Sequence, residues 1–239
     1  MNKINVSAVS YTNTTPFIYG IKNTPLINEI ELSLDIPSTC AQKLIDRQTD
    51  IGLVPVAALL HVPGYEIIAD YCIGATGAVN SVFIFSNKPI TEIKTLRLDK
   101  QSRTSNNLAR VLLKNFWKQP VELTEDLNAD AFVEIGDRTF GKKDSLPFVY
   151  DMGEEWMNFT GLPFAFAVWA ANRSLPLDFI SRFNESMKFG LDNRDKVIEA
   201  LPKRDDFDIA HYLKHSIDFA LTDKKRQAIR LFHQYIQAL

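Results

Sequence analysis

Short apolar runs alternate with amphipathic stretches through the first two-thirds of this chain, and that alternation restricts the fold more than any other feature. Residues 4–9, 51–54, 67–73, 79–85, 96–99, 131–135, 147–150 and 164–170 have the length and the β-branched or aromatic content of strands. Gly74 and Gly77 interrupt the chain between 67–73 and 79–85, and Pro89 ends that region. The stretches between them carry apolar residues at helical spacing. Ala41, Leu44 and Ile45 share a face behind a cap at Ser38, and Leu108, Val111 and Leu112 share another in a helix ending near Trp117. After Asn172 the pattern becomes helical, over 176–188, 192–200, 209–219 and 223–238. Such an order predicts an α/β fold with a helical C-terminal tail.

A chain of 239 residues suffices for one large domain or two small ones. Its net charge of −2 provides no basic field, so no nucleic-acid partner is expected. The N-terminus lacks the apolar core and cleavage site of a signal peptide, and no run of 18 apolar residues occurs. A cytoplasmic protein with no membrane partner is expected. The sequence does not specify an oligomeric state. Cys40 and Cys72 form no CxxC motif and have no neighbouring His, so buried thiols are expected rather than a zinc site or a disulfide.

The common catalytic signatures are missing: no GxSxG, no P-loop, no GxGxxG after a strand, no HExxH. His61, His211, His215 and His233 lie outside the polar clusters. His211 and His215 have metal-ligand spacing on a helix, but no carboxylate-rich motif accompanies them, and a solvated face is expected. No metal and no cofactor are expected.

Five polar clusters remain. Residues 10–17, SYTNTTPF, follow the first strand, where open α/β sheets bind ligands, although a hydrogen-bonded turn into Pro16 accounts for them equally. Asn80 and Ser81 lie within an apolar run that reads as a strand. Ser102, Arg103, Thr104 and Ser105 open a helix, where hydroxyls and free N–H groups can hold a carboxylate or simply cap the helix. Gly136 and Asp137 follow a strand and read as a turn. Thr160, Gly161, Leu162 and Pro163 precede an aromatic run, which serves equally as a ring pocket or as core.

Six segments in order carry a resemblance: VSYTNTTPF (9–17), DIGLVPVAAL (50–59), DYCIGATGAVNSVFIFS (70–86), LDKQSRTSNNLARVLL (98–113), IGD (135–137) and TGLPFAFAVWA (160–170). The tail segment HYLKHSIDFAL (211–221) adds to it. Together they resemble the chorismate dehydratase family of the futalosine route to menaquinone. Thr12 and Arg138 depart from it, standing where that family often has Leu and a small residue.

The resemblance implies a two-lobed, periplasmic-binding-protein-like (type II) fold with the site in the cleft. It implies one lobe at 1–84 with 172–239 and the other at 85–171. The implied reaction is loss of water from chorismate to give 3-[(1-carboxyvinyl)oxy]benzoate. The residues matching Asn13 and Ser81 would stand at the substrate as the catalytic pair, and Thr104 and Ser105 would hold a carboxylate. Their neighbours Tyr11, Asn80, Arg103, Asp137, Thr160, Gly161, Leu162 and Pro163 are further candidate contacts. Neither His nor a clearly placed carboxylate is available as a base, with Glu134 and Asp137 the only near candidates. The substrate's enolpyruvyl carboxylate is therefore expected to take the proton. Two rivals remain open. One is a non-catalytic carboxylate-binding protein or sensor on the same fold. The other is dihydroxynaphthoate synthase, whose opening Ser-Pro-Cys-Pro-Asn-Asp-like motif differs from SYTNTTPF.

Overall fold

The computed structural model describes residues 3–239. Among the described residues, ten strands form two five-stranded sheets, one per lobe. In the first, β1 (Ile4–Val9) lies parallel between β2 (Ile30–Asp35) and β3 (Ile51–Pro55), and β10 (Phe164–Ala171) runs antiparallel between β3 and β4 (Glu66–Ala75). In the second, β5 (Val82–Ser86) pairs antiparallel with β8 (Ala131–Ile135) and β9 (Phe148–Asp151); β6 (Thr95–Arg97) lies parallel between β8 and β7 (Glu122–Thr124). Both β3 and β5 are buried at every position, as central strands covered on two faces must be.

Eight helices cover the sheets: α1 (Thr15–Lys22), α2 (Pro37–Ile45), α3 (Arg103–Val111), α4 (Met152–Thr160), α5 (Leu177–Asp192), α6 (Arg194–Ala200), the single turn α7 (Ile209–His211) and α8 (Asp223–Gln237). The start of α3 is fixed by Ser102 Oγ, which accepts the Ser105 N–H at 3.0 Å. α3 and α7 each pass into a wider π turn, Leu112–Phe116 and Tyr212–Ser216. No helix among the described residues is long and apolar enough to cross a membrane.

The core is continuous between the lobes. Trp156 on α4 meets Phe164 on β10 (5.1 Å between ring centroids) and Phe232 on α8 (5.8 Å), so the last helix packs on the junction. Burying rings of this size contributes about 2–3 kcal/mol each. Cys40 and Cys72 are free and buried, and burial pushes both thiols up to about 12.

Several elements differ from the sequence expectation. The strand at 164–171 belongs to the first sheet, so the chain has left the second sheet before Phe164 and the expected lobe boundary at 171 is moved back. Periodicity shows that this run is a strand but is blind to which sheet it joins. The run at 79–85 is a strand only from Val82, because Asn80 adopts a left-handed backbone (φ 56°) that ends any ladder. The helix expected over 209–219 stops at Ser216. Ile217 is already extended, and Ala220 bridges Tyr71 beside β4. β2, β7 and α1 were not marked by their sequence patterns.

Candidate active site

The turn after β1 is a single 3-10 turn, Thr12–Thr14, that hands the chain to α1 at Pro16. It leaves Asn13 at 9% exposure. Asn13 Oδ1 accepts the Thr14 hydroxyl proton (3.2 Å), and Asn13 Nδ2 donates to Tyr212 Oη (3.2 Å). Tyr212 Oη in turn donates to Ser81 Oγ at 2.8 Å. Asn13 and Ser81 are therefore joined through a phenol that is itself fully buried. Burial pushes the Tyr212 hydroxyl above its ordinary pKa, against the opposing pull of its bonds to Ser81 and Asn13, so it stays protonated.

Ser81 is held by its neighbour's environment. Asp151, buried at the start of α4, accepts the N–H groups of Val79 (3.0 Å), Asn80 (2.6 Å), Gly153 (2.9 Å) and Glu154 (3.3 Å). One carboxylate thus caps α4 and fixes the crossing segment ahead of β5. Its burial raises the carboxyl's pKa, and these N–H bonds pull against the rise. The Asn80 side chain turns away from Ser81, donating to Ser216 Oγ (3.1 Å) and accepting from Lys143 Nζ (3.0 Å).

Asn13 and Ser81 face a narrow cleft of about 60 Å³ between the sheets. Apolar side chains including Val9, Ile73, Val82, Ile135 and Phe166 form its walls, with Tyr11 and Gly136 at one side and Ser102, Thr104 and Ser105 at another. No side chain lining it, among the described residues, is a carboxylate, a histidine or a lysine. Small-molecule pockets usually measure several hundred Å³, so the lobes stand closed and have to part to admit a ring.

Contacts across the cleft hold it shut. Asp137 accepts the Thr12 N–H (3.1 Å to each oxygen) and the Thr12 hydroxyl (2.9 Å). Burial lifts the Asp137 carboxyl above its ordinary pKa, and the Thr12 bonds only partly offset this. Tyr11 donates to Gln101 Oε1 (2.5 Å), Arg103 Nη2 to Gln42 Oε1 (2.9 Å), and the Ala57 N–H to Thr104 Oγ1 (3.2 Å). Gly136, with φ +66°, lies so close to Tyr11 that a Cβ there would fall 2.6 Å from the ring.

Of the candidates from the sequence, the structure brings Tyr11, Asn13, Ser81, Thr104 and Ser105 to one cleft. Arg103 instead faces an open groove of about 800 Å³ along the rim, together with Arg97 and Arg110, and that groove shares Ser102 with the cleft. Asp137 is spent on Thr12, and Glu134 is paired with Lys142 at 2.8 Å. Thr160, Gly161, Leu162 and Pro163 do not line the cleft. Thr160 Oγ donates to Trp156 O (2.8 Å) and takes the Leu162 N–H (3.2 Å), while Gly161 (φ +69°) ends α4; Phe166 and Ala167, further along, supply the wall. Arg138 pairs with the buried Asp99 at 2.6 Å. His211 and His215 are exposed. Tyr212 and Asp151 escaped the sequence reading. For Tyr212 the only signal was the tail segment 211–221, and there it reads as one more residue on an apolar helix face.

Residues 4–238 match the family described as menaquinone biosynthesis. The chorismate dehydratase of Thermus thermophilus is 27% identical over 199 residues, 71% of this chain and 72% of that protein. Among solved structures, a protein of Archaeoglobus fulgidus is similar with a TM-score of 0.74 at 17% identity, over 99% of this chain and 97% of its own. A Candida albicans protein described as exhibiting the generic periplasmic binding protein structural fold matches with a TM-score of 0.60 at 11% identity, over 100% and 94%. The structural likeness concerns the fold alone, while the sequence match spans both lobes and the cleft between them. The chain therefore belongs to the menaquinone biosynthesis family, built on a periplasmic-binding-protein-like fold.

Proposed function

We propose that this protein is a chorismate dehydratase, a hydro-lyase of the futalosine route to menaquinone. The observation that carries the reading is a cleft lined by apolar side chains, hydroxyls and one amide, with no histidine, lysine or carboxylate among the described residues to act as a general base. A reaction whose substrate brings its own base needs only such a cleft. The substrate's enolpyruvyl carboxylate takes the proton from the ring carbon bearing the ether. The C–H electron pair becomes the new ring double bond, and the bond to the ring hydroxyl breaks. That oxygen leaves as hydroxide and collects the abstracted proton, so one water departs and the charge of −2 is unchanged. Aromatisation supplies the driving force, and the protein contributes by positioning, an effect of several kcal/mol.

On this reading Asn13 and Ser81, which both line the cleft, are the donors to the departing oxygen, and the start of α3 at Thr104 and Ser105 is the carboxylate site. The 27% identity to a chorismate dehydratase supports the same substrate. The SYTNTTPF segment favours this reading over dihydroxynaphthoate synthase. The test is to mix purified protein with chorismate and follow the ultraviolet spectrum. The diene absorbance should give way to that of a substituted benzoate, with no added metal or cofactor. A spectrum that stays unchanged while chorismate binds would make the protein a sensor or carrier instead.

A further inference from the structure

We infer that Tyr212 is a positioning residue for this reaction: it receives a hydrogen bond from Asn13, gives its own proton to Ser81, and so obliges Ser81 to point its hydroxyl proton into the cleft. The inference rests on the dehydratase reading and deepens it by assigning a direction to the hydrogen-bond chain. The direction follows from counting protons. Thr14 Oγ donates to Asn13 Oδ1 (3.2 Å), which turns the amide NH2 toward the phenol. Tyr212 Oη accepts there, and its single proton goes to Ser81 Oγ at 2.8 Å. Ser81 Oγ, having accepted with one of its two lone pairs, cannot donate to the phenol and keeps its own proton free for the cleft. The Ser81 backbone is pinned as well, because its carbonyl accepts the Gly136 N–H at 2.8 Å.

What remains is one directed donor in a low-polarity cleft. It faces the place where charge develops as the C–O bond breaks, and a donor there gains strength because it needs no reorganisation. Tyr212 is locked for this task. Its ring packs edge-on against Phe140 (5.2 Å between centroids) and Phe207 (5.4 Å), and the π turn at Tyr212–Ser216 sets its depth. Burial raises the phenol's pKa and so favours its neutral, donating form. Without Tyr212, Ser81 is a free rotor that can donate elsewhere or accept from the substrate's own hydroxyl.

The test is a double-mutant cycle with chorismate on Tyr212→Phe, Ser81→Ala and the pair. Tyr212→Phe keeps the packing ring and is expected to lower kcat at least ten-fold with KM within about three-fold of wild type, the pattern of a contact made in the transition state. In the Ser81→Ala background the same change should lower kcat by no more than about two-fold, because its route of action through Ser81 is already gone and the Thr14 hydroxyl still orients Asn13. A full, multiplicative loss in the double variant would overturn the inference, as would unchanged kcat in Tyr212→Phe. Should Tyr212→Phe fold poorly by thermal melt, 3-fluorotyrosine at position 212 keeps the packing and offers a stronger donor. Its kcat should hold or rise, and a ten-fold fall would count against the inference. If wild-type protein leaves the diene untouched, the dehydratase reading itself has failed, an outcome visible before any variant is made.

Discussion

Asp137 shows how a residue's role follows from what it touches. As the carboxylate nearest the expected site it was a candidate ligand contact and a rival base, yet it is engaged by two donors of Thr12 from the other lobe. Burial raises its carboxyl pKa, with the Thr12 bonds and the Arg204 charge pulling against the rise. The amide in Asp137→Asn is neutral and retains an acceptor for the Thr12 N–H. We expect that variant to keep kcat within about three-fold of wild type, whereas Asp137→Ala strands the N–H at a cost of about 1–3 kcal/mol and raises KM. A loss of several orders of magnitude in Asp137→Asn, with the circular dichroism spectrum intact, would make Asp137 the base and overturn the substrate-assisted mechanism. Asn13, Ser81, Thr104 and Ser105 were legible in the sequence because each lies in a short segment with a recognisable order of residues. Tyr212 was not, because its hydroxyl acts on residues 131 and 199 positions away.

Among the elements, α1 governs the site because it continues directly from the Asn13 turn. It crosses α5 backbone to backbone: a Cβ on Gly20 would lie 2.0 Å from the Ser186 carbonyl oxygen, and one on Gly190 would lie 1.9 Å from that of Pro16. Tyr19 and Phe189 stack beside the crossing (6.2 Å, 9° between planes) and fix its register. Gly20→Ala has no room, and overpacking of this kind costs about 1–3 kcal/mol. For a chain of this size that corresponds to a fall in Tm of about 2–4 °C per kcal/mol, read by differential scanning calorimetry. A melting temperature equal to wild type would show that the helices separate freely and that α1 is not clamped. The glycines themselves were visible in the sequence, but nothing near Gly20 says that it will meet Ser186 on a distant helix. The same holds for Asp151, whose capping role at α4 is a local signal and whose hold on Val79 and Asn80 is not.

At the scale of the whole molecule the two lobes act through their closure. Among the contacts that shut the cleft, Gly136 against Tyr11 leaves no room for a side chain. Gly136→Ala inserts a methyl group 2.6 Å from the Tyr11 ring, at a backbone φ that already disfavours a side chain. We expect its lobes to stay apart in solution, with a larger radius of gyration by small-angle X-ray scattering and KM raised about ten-fold or more. Adding Tyr11→Ala should bring part of the compaction back. Scattering and KM both equal to wild type would mean that closure does not depend on this contact.

The sequence by itself determined the class of the fold, most of its strands, and the segments that carry Asn13, Ser81 and the start of α3. Those are local properties: side-chain periodicity, capping residues and short motifs act within a few positions of the chain. The tertiary structure decided which sheet 164–171 enters, that Arg103 and Thr160–Pro163 stay out of the cleft, and that Tyr212 joins Asn13 to Ser81. An apolar run fits any sheet that can bury it, and a lone hydroxyl fits any core that can satisfy it. Only the packing of distant segments selects among those choices.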